Sequence, residues 1–153
     1  MKRKNILPSP GERRGRKNEH QSILEGVSKD LPALSRAYHL TRKASWVGFD
    51  WPNIEGLLNK LDEEMRELME ALSLQDSRKI REEIGDILFV MANVSRFLQI
   101  DPEEALKKTI HKFVSRFHYV ETSLRRAGKP FHESNLIEMD RLWEESKRKE
   151  KKS

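Results

Sequence analysis

From Leu31 onward the apolar residues recur every three or four positions, and the breaks between these segments carry helix-starting and helix-ending residues. That spacing gathers the apolar side chains on one face of a 3.6-residue helix, and no segment alternates as a strand would. The first helix is expected from about Leu31 to Trp46, stopping at Gly48. Asp50 is the expected N-cap of a second, whose stripe is Ile54, Leu57, Leu58, Leu61, Met65, Leu68 and Leu72. After the polar link SLQDS, Asp76 or Ser77 caps a third helix with Ile80, Ile84, Ile87, Met91, Val94 and Leu98 on its main face. Leu88, Val90 and Phe97 widen that face, so the third helix is expected to be the most buried.

The run DPEE at Asp101 combines an Asp N-cap, Pro102 at the first helical position and Glu104 placed to close a capping box. The fourth helix is expected to bury Leu106, Ile110, Phe113, Phe117, Val120 and Leu124, and to end at Gly128 ahead of Pro130. A last helix starts near Asn135, carries Leu136, Met139, Leu142 and Trp143, and gives way to KRKEKKS. The reading is an all-α bundle of about five helices around a four-helix-bundle-like core. One neighbouring helix covers only a stripe of the third, so dimerisation across a two-fold axis is expected to complete that core.

The chain has 153 residues, enough for one domain with a real core. It has no cysteine, which removes disulfides and thiolate metal ligands, and it has no apolar run of membrane-spanning length. The opening MKRKNILPSP is basic without a following apolar stretch, so no secretory signal is expected and a cytoplasmic location is. The net charge of +5 resides in the ends: residues 1–30 carry 8 Lys/Arg against 4 Asp/Glu, while residues 31–143 carry 17 against 18. A nucleic-acid reader would carry its basic face on the folded body, which argues against that class except through the tail. Residues 1–30 read as a disordered basic tail and 31–150 as the domain.

Two stretches concentrate carboxylates on neighbouring helices, EEMRE at Glu63–Glu67 and EEIGD at Glu82–Asp86. With Ile54 as zero, Glu64 falls at about −80°, Glu67 at about −140° and Glu63 at about 180° around the second helix. From Ile80, Glu83 falls at about −60°, Asp86 at about −120° and Asn93 at about −140° around the third. Each pair lies on one flank of its stripe, so ExxE and ExxD face each other if the helices are antiparallel neighbours. Two readings remain open at this point. The flanks are solvated acidic decoration, or they converge on a hard cation such as Mg²⁺ or Mn²⁺. A di-iron site would place His where Glu67 and Asp86 stand.

Together with VGFDW, GDILFVMANVSRFL, HKFVSRF and MDRLWEESKRKE, the two acidic stretches resemble the EExxE…ExxD signature of MazG-type nucleoside triphosphate pyrophosphohydrolases over roughly residues 31–150. The resemblance implies an all-α enzyme whose acidic residues hold Mg²⁺, with Mn²⁺ as a substitute, and which releases nucleoside monophosphate and pyrophosphate from triphosphates. It implies Glu64, Glu67, Glu83 and Asp86 as metal ligands and Glu63 as a residue that orients or deprotonates water. Lys112, Arg116, Trp143 and Lys147 match positions used around the nucleotide, and Asn93 matches a polar position near the metal. The family pairs helices between subunits, so a homodimer is implied, and some members carry two copies of the domain. Against this stands a helical interaction module with solvated acidic flanks and a nucleic-acid-binding tail.

Overall fold

The computed structural model describes residues 22–150, and these contain five α-helices and no strand. They are α1 (Ala33–Ser45), α2 (Ile54–Ser73), α3 (Ser77–Phe97), α4 (Pro102–Arg126) and α5 (Leu136–Glu150), with one 3-10 turn at Phe131–Glu133. The all-α reading holds. Of the expected tail, residues 1–21 lie outside the described residues, and residues 22–30 form turns fastened to α1 by a hydrogen bond from Lys43 Nζ to the Glu25 carbonyl.

Helix starts follow side-chain capping. Asp76 accepts from the amides of Arg78 and Lys79, and Asp101 accepts from those of Glu103 and Glu104, with Pro102 at the first position. The Glu104 carboxylate turns to Lys107 at 2.9 Å, which engages it on the helix surface. At α2 the cap is Asn53, which accepts from the Gly56 amide, and not Asp50. Asp50 is drawn away by a guanidinium on α3, a stronger partner than a backbone amide. Gly128 takes φ of +68°, the left-handed cap expected after α4. Helix α5 runs on through KRKE to Glu150 because ion pairs hold it: Lys147 to Glu144 at 2.5 Å, and Arg116 of α4 to Glu150 at 2.8 Å.

A short link turns α3 back along α2, α1 lies against α3 and touches α4, and α4 packs with α5. Two small cores result. Leu57, Val90 and Val94 form one, supported by Ile54, Leu61 and Phe97, while Val120, Leu124 and Leu142 form the other with Met139 and Trp143. The expected burial of α3 is not met within one chain: only Val90, Ala92 and Val94 are buried, while Ile84, Leu88, Met91 and Leu98 stand 42–53% exposed. On α4 likewise only Val120 and Leu124 of the expected stripe are buried; Leu106, Ile110, Phe113 and Phe117 are exposed. The stripes exist as the periodicity requires, but the described residues supply too few elements to cover them.

Candidate metal centre and the cavity beside it

The α2/α3 hairpin sets Glu64 opposite Glu83 and Asp86, and one carboxylate oxygen from each lies within 4.8 Å of the others. Glu64 sits in the groove between the helices and is only 4% exposed, Glu83 is half-buried, and Asp86 is open to solvent. Burial pushes the Glu83 carboxyl above its ordinary range, and the charges of Glu67, Glu64 and Asp86 push it further the same way. Glu67 is thus an electrostatic neighbour of the cluster, though its oxygens fall outside the group of three.

Lys60, one turn before Glu64, reaches its carboxylate at 2.8 Å and that of Glu63 at 2.7 Å. The ammonium holds Glu63 below the usual carboxylate range, so Glu63 is a weak proton acceptor while this pair stands. The cluster fits a hard divalent cation: its donors are all carboxylate oxygens, they converge from two rigid helices, and their mutual repulsion is relieved by positive charge.

A cavity of ≈ 700 Å³ opens beside the cluster, with Lys60, Glu64 and Asp86 in its wall. The remaining lining is largely apolar and aromatic, including Phe49, Trp51, Phe89 and Val90, with Thr41, Asp50 and Asn93 as polar points. Arg96, one turn beyond Asn93, donates from Nε to Asn93 Oδ1 at 2.9 Å and grips both oxygens of Asp50 at 2.9 and 2.5 Å. Its hydrogen bonds hold the Asp50 carboxyl below its ordinary range. Of the cavity wall beyond the acidic cluster, the sequence assigns a site role to Asn93 alone. The stretch VGFDW carried the signal for Phe49, Asp50 and Trp51, two aromatics around an acid in a short loop.

Lys112, Arg116, Trp143 and Lys147 are elsewhere: none lines this cavity or joins the acidic cluster. They sit on the α4/α5 pair. Arg116 lies over the Trp143 ring at 5.8 Å and is neutralised by Glu150, and Trp143 packs on Phe113 with ring centroids 5.4 Å apart. Lys147 pairs with Glu144 at 2.5 Å.

The class in view is an all-α helical protein with an oxygen-only carboxylate cluster, a donor set that suits a hard cation, beside a largely apolar and aromatic cavity. Residues 53–120 match the MazG family, described as the MazG nucleotide pyrophosphohydrolase domain. It is 44% identical over 117 residues to the nucleoside triphosphate pyrophosphohydrolase/pyrophosphatase MazG of Thermotoga maritima, covering 76% of this chain and 45% of that protein. It is 37% identical over 141 residues to the nucleoside triphosphate pyrophosphohydrolase of Escherichia coli K12, covering 91% of this chain and 53% of that one. It is also 41% identical over 133 residues to the uncharacterized protein YabN of Bacillus subtilis, covering 86% of this chain and 27% of that protein. The chain thus spans about half the length of the first two relatives. No helix among the described residues is long and apolar enough to cross a membrane.

Proposed function

We propose that this chain hydrolyses nucleoside triphosphates to nucleoside monophosphate and pyrophosphate with the help of Mg²⁺ or Mn²⁺, and that it acts in control of the nucleotide pool. The observation that carries this reading is the convergence of the Glu64, Glu83 and Asp86 oxygens, with Glu64 and Asp86 also lining the ≈ 700 Å³ cavity. The names of the relatives from Thermotoga maritima and Escherichia coli point the same way. In this reading Glu64, Glu83 and Asp86 would hold the cation, and Glu67, whose charge reaches Glu83, would be the fourth ligand. When bound, the cation neutralises phosphate oxygens and lowers the pKa of water. The aromatic walls receive the nucleoside, and Asn93 offers it a hydrogen bond. A water oxygen bonds to the α-phosphorus and the bond from that phosphorus to the bridging oxygen of the β-phosphate breaks, so pyrophosphate leaves. The proton released goes to a carboxylate of the site or to solvent, and Glu63 becomes competent for it once Lys60 lets go.

We assign the functional unit to residues 31–150, because α1 walls the cavity and α5 completes the second core. Lys112, Arg116, Trp143 and Lys147 would meet the nucleotide from the α4/α5 face of a second copy. The test is product chromatography from a panel of triphosphates in ¹⁸O-water with Mg²⁺. Monophosphate carrying the label, together with pyrophosphate, is expected from the first turnover. Diphosphate with orthophosphate would overturn the assignment, and no turnover on any triphosphate would return the chain to the class of interaction modules.

A further inference from the structure

Asn93 has two faces, and its neighbour decides which one meets the cavity. A guanidinium has five N–H donors and no acceptor, so the amide edge turned to Arg96 Nε must be the oxygen. The Nδ2 hydrogens are therefore left to point elsewhere, and Asn93 lines the cavity. The same guanidinium grips Asp50, which also lines the cavity and whose Oδ1 accepts from the Trp51 amide at 2.8 Å. One side chain thus places a donor and a carboxylate acceptor next to each other, and it fastens to α3 the loop that carries the Phe49 and Trp51 walls. Arg96 itself is not part of the cavity wall, and its side chain is only 8% exposed. On α3, Asn93 stands seven residues beyond Asp86, which is two turns and about 10 Å along the axis. That separation lets a nucleotide keep its phosphates at the acidic cluster while its nucleoside end reaches Asn93.

We propose that Arg96 is a positioning residue for nucleoside recognition, which acts by locking the Asn93 amide and the Asp50 carboxylate into an adjacent donor–acceptor pair facing the cavity. The inference rests on the reading that the ligand is a nucleotide and goes beyond it by naming what fixes the specificity of the nucleoside end. The ligand edge that fits is an acceptor beside an N–H or O–H donor, such as a base edge presents. Lysine cannot replace arginine here, since a point charge with a flexible stem does not hold two partners in one plane.

The test measures binding of AMP, GMP, CMP and UMP without metal, by calorimetry, to the whole chain and to Arg96→Lys, Arg96→Gln and Asn93→Ala, each checked for helix content by circular dichroism. Arg96→Lys is expected to weaken the best ligand about tenfold, as loss of an oriented charge-assisted hydrogen bond does. It should narrow the spread among the four ligands, and it should add little in an Asn93→Ala background, because the two residues act as one unit. Arg96→Gln provides the same readout should the Lys variant not fold. Equal weakening of all four ligands, unchanged binding, or effects of Arg96 and Asn93 that simply add would overturn the proposal. Wild-type turnover of triphosphates with binding indifferent to Arg96 overturns this inference alone. Arg96-dependent selective binding without any turnover overturns the proposed hydrolysis alone.

Discussion

At the scale of single residues, the site is a set of like charges held closer than water would leave them. Glu83 has its pKa raised by burial first and by Glu67, Glu64 and Asp86 after it, so the folded chain binds that proton more tightly than the unfolded chain does. Its contribution to stability is then present at low pH and is lost as pH rises from the ordinary Glu range through the raised value. The carboxylates lowered by ion pairs, Asp50 and Glu138 among them, act with the opposite sign, so the effect must be read as a difference. Without divalent ions, Glu83→Gln is expected to raise the melting temperature more at pH 7.5 than at pH 4.5; an equal shift at both pH values would contradict the cause assigned here. Asp86→Asn is expected to lower turnover by more than the roughly 10–100-fold lost when a residue that merely orients a metal ligand is removed. Steady-state kinetics over a Mg²⁺ titration, with circular dichroism as the folding control, checks it. The angular positions of Glu64, Glu83 and Asp86 were legible in the sequence because helix geometry is local arithmetic. The grip of Arg96 on Asp50 was not, because 46 residues separate the partners and no periodicity connects them.

Among the elements, the first turn of α2 does two jobs. Asn53 caps it, and Gly56 lets the Trp51 indole approach so closely that a Cβ built there would stand 2.8 Å from Trp51 Cε3. An alanine in a helix is normally favoured over glycine by up to about 1 kcal/mol. Gly56→Ala should therefore keep or improve the helix while displacing the indole from the cavity wall. The expected outcome is weaker nucleotide binding and a shifted Trp51 fluorescence maximum, with little loss of thermal stability. An unchanged Michaelis constant would show that the indole position is immaterial. Asn53→Ala should cost ~1 kcal/mol in chemical denaturation, the usual weight of an N-cap. The start of α2 could be placed from sequence only within a few residues, since Asp50 and Asn53 are both good caps and only the tertiary claim of Arg96 on Asp50 decides between them.

At the scale of the whole molecule, the described residues leave an apolar belt uncovered, made of Ile84, Leu88 and Met91 on α3 and of Ile110, Phe113 and Val114 on α4. Isolated exposed apolar residues need no explanation, but stripes on two long helices do. We expect the chain to pair through this belt, and a stable pair would bury about 1,600 Å² in total. Sedimentation at micromolar concentration should return a dimer, and Leu88→Glu with Met91→Lys should return a monomer of lower activity. A monomeric wild type at full turnover would refute the pairing. The periodicity made the stripes legible, but it does not say whether their cover lies in the same chain or in another. A separate property of the assembled molecule follows from Lys60. By bridging Glu63 and Glu64, it serves as a resident counter-ion in the carboxylate cluster. The scaffold is therefore expected to assemble without a metal, unlike small domains that collapse only around their ion. In the proposed reading, stripping divalent ions with a chelator is expected to silence catalysis and leave the helices standing by circular dichroism; loss of helix on chelation would contradict it.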